Sequence, residues 1–274
     1  SQISSVLEFD KGKYIIYITA AGSRDILFQS SKYNFEYLTE YVLVPRIASG
    51  PLAGNIAVDV INNTTTVGNL TDLTAQAQFR LYNSIDSIGN SDIYLNDSVA
   101  FTSLAADSLS DYVELAAKDY QLSASDEQGV FYLNSALMTL NQGQSKAVVL
   151  YQNANAKTAA VVIEENNAPQ IYDFDINVLN TITSYSSLGI YFVPPNETID
   201  TAEYYITSLN SGAQKEINVP DGEYTIYLTY TDSNRNKILL AESEIQQFVA
   251  GSNYLLVAEP DSTRNSGYKL SLLR

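Results

Sequence analysis

The 274-residue chain contains no cysteine, no histidine and no tryptophan. Without cysteine there is no disulfide staple and no thiolate nucleophile, so the chain tolerates oxidising and reducing compartments alike. Without histidine there is no imidazole proton shuttle, and the commonest zinc ligand is missing. Together these absences remove the Ser-His-Asp triad, the Cys-His pair and the HExxH helix. Cations are scarce as well. Fifteen Lys and Arg stand against 31 Asp and Glu, for a net charge of −16. Nucleic acid is held by cations that displace counterions from phosphates, and so acidic a chain repels phosphate backbones and anionic lipid at long range. No nucleic-acid partner is expected. No run reaches the roughly 18 apolar residues of a membrane-spanning helix. The opening SQISSVLEFD has neither the basic nor the apolar region of a signal peptide. An exported chain would have lost its leader, and a lipid anchor upstream stays open.

Charged residues make up only 17%. The surface must therefore be made polar by Asn, Ser, Thr and Gln, a composition common in secreted proteins. Apolar residues reach 45%, ample for a core.

A repeat organises what remains. Phe9-Asp-Lys-Gly-Lys-Tyr14, Leu115-Ala-Ala-Lys-Asp-Tyr120 and Val219-Pro-Asp-Gly-Glu-Tyr224 each join an apolar strand end, a polar turn and a Tyr that opens an alternating run. The three Tyr lie 106 and 104 residues apart. Later strands follow in each copy, with 41–44 aligned on 147–150 and 254–257. A front half appears only twice, at 77–83 with 92–95 and at 174–180 with 189–193. Short segments rich in Val, Ile, Thr and Tyr, broken by Asn96-Asp97, Asp126 to Gly129 and Asp232 to Asn234, predict antiparallel β-sandwiches. The fold class expected is all-β, built of tandem antiparallel β-sandwich (Ig-like or transthyretin-like) repeats. The expected units are 1–70 (an incomplete first repeat), 71–168 and 169–274. A helical turn or two is expected over 70–78, and the polar stretch from Glu164 to Pro169 reads as a linker.

The stretches Arg80-Leu-Tyr-Asn83 and Asp92-Ile-Tyr94, with Val219 to Tyr227, resemble the RVVNAS…VDVYVDG and LPAGxYxVxV motifs of a bacterial secreted or lipoprotein tandem domain of unknown function. Carried over residue by residue, the motif positions are Arg80, Asn83, Asp92 and Tyr94, then Asp221, Gly222 and Tyr224. Leu188-Gly189 departs from the motif where its Asp belongs. The resemblance implies an extracellular, periplasmic or outer-surface location and no established activity.

Other residues invite chemistry. Asp86, Asn90 and Asp92 could offer hard oxygens to calcium, but such Asx residues equally cap their own turns. Arg80 is placed to pair with Asp92 across the first hairpin, a structural role. Asp221-Gly222 reads as a tight hairpin turn with Gly222 at positive φ. Tyr clusters at 33–37, 204–205 and 224–230 could stack on sugar rings or form cross-strand pairs. Paired carboxylates at Asp173/Asp175, Glu164/Glu165 and Glu242/Glu244 raise the glycosidase question, since two carboxyls about 5–9 Å apart would suffice. No catalyst, cofactor or resident metal is expected. The reading is a structural or binding module, with a carbohydrate-binding module or carboxylate-pair hydrolase as the alternative. The incomplete first repeat leaves three resolutions: an upstream segment, packing against the second copy, or strand donation by another chain.

Overall fold

The computed structural model describes residues 4–62, 67–168 and 170–274, so Pro169 at the expected linker lies outside the described residues. The first repeat holds β1 (Gly12–Tyr14), β2 (Tyr17–Thr19), β3 (Ile26–Gln29), β4 (Tyr33–Phe35), β5 (Val42–Ile47), β6 (Ile56–Ile61) and β7 (Val67–Leu70). The second holds β8 (Ala77–Asn83), β9 (Ser91–Leu95), β10 (Ser98–Leu104), β11 (Ser108–Leu109), β12 (Val113–Leu115), β13 (Lys118–Asp126), β14 (Phe131–Leu140), β15 (Ser145–Gln152) and β16 (Thr158–Glu164). The third holds β17 (Asp173–Asn180), β18 (Ser187–Val193), β19 (Tyr204–Asn210), β20 (Gln214–Pro220), β21 (Glu223–Thr231), β22 (Lys237–Glu242), β23 (Gln246–Gln247), β24 (Tyr254–Pro260) and β25 (Tyr268–Leu273). The expected helical turn over 70–78 does not form. Asp72 instead accepts the N–H groups of Gln29 and Thr74 on one carboxylate oxygen, a local Asx cap that competes with helix.

The second and third repeats are sandwiches of the same plan. In the second, β10-β9-β13-β14 faces β11-β8-β15-β16, with β12 also on β8. In the third, β19-β18-β21-β22 faces β20-β17-β24-β25. Each sandwich contains one parallel pair within its otherwise antiparallel sheets, β8 with β15 and β17 with β24. Alternation along each strand sorts the side chains. Phe79, Leu81, Val148 and Leu150 fill one core, and Phe174, Ile176, Val178, Leu256 and Ala258 fill the other.

Asn83 and Asn180 end the two front strands and do the same work. Each side-chain oxygen accepts an N–H two residues on, from Ile85 and Ile182. Each amide donates to a backbone carbonyl across the loop, Gly89 for Asn83 and Leu209 for Asn180. Counted from these anchors, Val148 opposite Leu81 corresponds to Leu256 opposite Val178. The expected alignment of 147–150 with 254–257 is therefore one residue out. Such a slip exchanges core-facing and outward residues, and uninterrupted apolar runs do not reveal it.

Asp221-Gly222 is not a hairpin. Val219 on β20 pairs with β17, while β21 pairs with β18 and β22, so the dipeptide carries the chain from one sheet to the other. Gly222 does not adopt a left-handed φ, because no tight reversal between paired strands is required there. It sits against the Tyr224 ring, where an added Cβ would lie 3.2 Å from Cε2. The tight hairpin turn is Asn96-Asp97 between β9 and β10, with φ of 48° and 66°. The anchoring Tyr have a further use. Tyr14 and Tyr120 donate their hydroxyls to the carbonyls of Asp10 and Ala116, four residues upstream, at 2.8 Å each. The Tyr120 bond spans the crossing from β12 on one sheet to β13 on the other.

In the first repeat β1 pairs with β4 as a separate two-stranded ladder. Paired β2-β3 and β5-β6-β7 surround a small core of Phe28, Val58, Val60 and Leu70.

Candidate functional site

The outward faces of β8-β15-β16 and β17-β24-β25 meet. Tyr82, Ala147, Val149 and Ile163 from the second repeat pack with Leu179, Leu255 and Val257 from the third, all within 3% of full burial. Positions that correspond between repeats face each other, so the contact is nearly self-complementary. Outward-facing strand positions are normally polar. Here Val and Leu occupy them because a second sheet covers them.

Two buried polar latches flank this apolar seam. In the first, Arg80 directs Nε to Glu165 Oε1 at 3.0 Å, Tyr112 donates to Glu165 Oε2 at 2.8 Å, and the Arg80 guanidinium lies 4.9 Å over the Tyr112 ring. Arg80 also donates to the backbone oxygen of Arg274. The expected pairing of Arg80 with Asp92 is therefore wrong. β8 and β9 belong to different sheets, and Arg80 points to the neighbouring repeat while Asp92 caps the Ser103 N–H at 2.8 Å.

In the second latch the carboxylate of Glu259, 1% exposed, accepts from the Tyr82 hydroxyl at 2.7 Å and from Ser84 and Ser271. Lys269 Nζ stands 3.7 Å away and also bonds Asp107. Burial raises the Glu259 carboxyl above its usual range, and the hydroxyl donors only partly offset it. Burial, then the adjacent carboxylate, pushes the Tyr82 hydroxyl up, so it remains a donor.

The calcium candidates Asp86 and Asp92 make different contacts. Asp86 lies near Asp107 and Lys269, with its carboxyl raised first by burial and then by Asp107, while Asp92 is spent on Ser103. Among the described residues no group of three acidic side chains is arranged to hold a metal ion. Tyr94 faces outward and packs on Phe131 with ring centroids 5.2 Å apart. Tyr224 faces inward at 5% exposure. Asp221 donates its N–H to the Tyr172 carbonyl.

Members of the carboxylate pairs differ in their contacts and exposure. Asp175 is held by the amides of Asn166 at 2.7 Å and Asn218 at 2.8 Å, whereas Asp173 is exposed. Glu165 is buried in its latch while Glu164 faces solvent. A row of tyrosines does form across the outer face of the third repeat: Tyr205 opposite Tyr191, and Tyr191 opposite Tyr227. Tyr191 and Tyr205 stack at 5.7 Å, and Lys237 lies 5.1 Å over Tyr191. The latches were missed in the sequence because their members lie up to 194 residues apart.

The family described as a domain of unknown function (DUF4397) matches residues 77–191. That span covers the second repeat and the front of the third. No curated protein matches the chain. One solved structure concerns alpha-glucan binding by a streptococcal virulence factor. It is 11% identical, spans 66% of this chain and 93% of that one, and has a TM-score of 0.22. Another is a candidate cell adhesion protein from Bacteroides fragilis, 10% identical over 96% of this chain and 95% of that one, TM-score 0.20. At such TM-scores neither likeness carries an argument about function.

Proposed function

We propose that the chain is a non-catalytic structural or binding module of the secreted tandem type, working outside the cell or on its outer surface. The observation that carries this reading is the seam between the second and third repeats. Its apolar faces and both latches commit the buried Arg80, Glu165 and Glu259, with the partly exposed Lys269, to holding two sandwiches against each other. A sandwich pair fixed in this way presents its remaining faces at constant geometry, which suits a scaffold. Asp175 is held by two side-chain amides and Glu165 by Arg80, which supports a structural use of these carboxylates. A screen of glycoside and ester substrates is expected to show no turnover. Reproducible turnover lost in Asp173→Asn would refute the reading.

One observation favours carbohydrate binding as a second reading: Tyr205, 50% exposed, backed by the buried Tyr191 in the Tyr205-Tyr191-Tyr227 row. Sugar rings stack their C–H faces on such platforms. Calorimetric titration with soluble glucans would show heat lost in Tyr205→Ala if this face binds them.

A further inference from the structure

Three groups of the second latch stand in an arrangement that the fold does not require. Glu259 on β24 is the cross-strand partner of Lys269 on β25. Counted from Asn83 and Asn180, the corresponding pair in the second repeat is Tyr151 opposite Ala159. The third group, Asp107, sits in the turn between β10 and β11. Its N–H donates to the Asn83 carbonyl at 2.7 Å, with φ of 57°. The sister turn of the third repeat makes the same bond, from Gly212 to the Asn180 carbonyl at 2.7 Å, with φ of 72°. A left-handed position favours Gly. Gly212 also lies against Tyr151, whose hydroxyl oxygen would be 2.9 Å from an added Cβ. At one of the two matching places a glycine thus meets a tyrosine. The other holds an aspartate, a lysine and a buried glutamate.

Contact and burial set their chemistry. Lys269 Nζ touches Asp107 Oδ2 and stands 3.7 Å from Glu259 Oε1. The side chains of Lys269 and Glu259 are 13% and 1% exposed. A second Lys–Asp pair, Lys237 with Asp200, is 42% and 86% exposed and lies open to water. Burial works to lower the Lys269 ammonium, and the Asp107 contact outweighs it, so the resting pair is ionic. Burial raises the Glu259 carboxyl, which places a protonatable group beside that pair. Asp86, in the loop after β8, shares a hydrogen bond with the Asp107 carboxylate.

We infer that Lys269 and Asp107 become joined by an amide bond between Nζ and Cγ, formed within the folded chain with Glu259 as the proton carrier. The Lys269 ammonium first gives a proton to the Asp107 carboxylate, leaving an amine and a carboxylic acid in contact. The Nζ lone pair then adds to Cγ. Glu259 passes a second Nζ proton to the Asp107 hydroxyl, the C–O bond breaks and one water leaves. An ammonium and a carboxylate are consumed, an amide and a water are formed, and no oxidant, metal or nucleotide enters the balance. Two effects favour the step. Holding an amine and a carboxyl in contact is worth effective molarities of about 10⁵–10⁸ M. A buried ion pair also bears the desolvation cost of two charges, which the neutral amide does not. The bond closes a loop between residues 162 positions apart and makes the second latch permanent in a chain without cysteine. It forms once per chain, without turnover, and so goes beyond the scaffold reading by tying its two sandwiches covalently.

The test is the mass of the denatured full chain and of its tryptic peptides. The parent is expected to weigh about 18 Da less than its sequence, the mass of one water. Its digest should contain a branched peptide joining residues 81–118 to residues 265–274, with cleavage after Lys269 blocked. Lys269→Arg and Asp107→Ala should each keep the full sequence mass and the circular dichroism of the parent. Glu259→Gln should form the branched peptide more than about ten-fold more slowly. A parent of full sequence mass would overturn the proposal, whatever the variants do. So would water lost at another position, with peptides 81–118 and 265–274 found separate. Equal rates in the parent and in Glu259→Gln would overturn the role given to Glu259.

Discussion

Glu165 illustrates what a single residue holds in this molecule. Its carboxylate is the partner of a buried guanidinium, and its removal would leave Arg80 charged and unpaired inside the seam. Breaking such a pair typically costs about 3–5 kcal/mol. Glu165→Ala is therefore expected to lower the urea midpoint by that order, and the exposed neighbour Glu164→Ala to leave it nearly unchanged. Glu259 makes a prediction about pH. Its folded carboxyl titrates above the ordinary 4.5, so its contribution to stability is fully present below that pH and is lost as pH rises through the folded value. Glu259→Gln should remove this fall, measured as a flatter dependence of the denaturation midpoint on pH above about 4.5. Neither role was legible in the sequence. The motif resemblance pointed to Arg80 and Asn83; in the fold Arg80 pairs with Glu165 and Asn83 accepts the Ile85 N–H. Yet Arg80 was assigned a partner twelve residues away, because the sequence does not show that β8 and β9 lie in different sheets.

At the scale of the strand, the period of two and the turn residues were enough to place most elements. The register between repeats and the nature of the turns were not. Asn96-Asp97 and Asp221-Gly222 look alike as dipeptides, and only sheet membership separates a hairpin from a crossing. The difference predicts opposite responses. Asp97 holds a left-handed φ between paired strands, so Asp97→Gly should raise stability, and Asp97→Val should lower it by about 1–2 kcal/mol. At the crossing, Asp221→Asn, which creates the favoured Asn-Gly pair, should gain nothing. Thermal melts of the three variants would settle the contrast. The failed helix over 70–78 has the same origin. Asp72 satisfies backbone donors of β3 and of its own loop, an arrangement that depends on contacts made after the chain has folded.

Across the whole molecule the seam joins two sandwiches, and the first repeat, bonded to the second through Asp72 and Gln78, has the smaller core of Phe28, Val58, Val60 and Leu70. The second and third repeats should therefore melt together, while amides of β2, β3 and β5 exchange faster than those of β8, β15, β17 and β24. Leu255→Asp should split the joint transition, which calorimetry would record as two peaks. The sandwich class was readable from composition and periodicity. The seam was not, because an outward Val149 or Val257 in a strand looks the same as a core residue until both faces are seen to be covered. A last consequence lies in the pairing of Lys146 with both Phe79 and Glu164. The chain enters and leaves the second repeat at the same end, only two strand spacings or about 10 Å apart. Tension along the polypeptide would thus tug at two adjacent points, peeling the β15-β16 bonds in succession from their open end. The repeat hangs from the chain like a bracket on a rail, and the load it resists must come through its faces rather than through its ends.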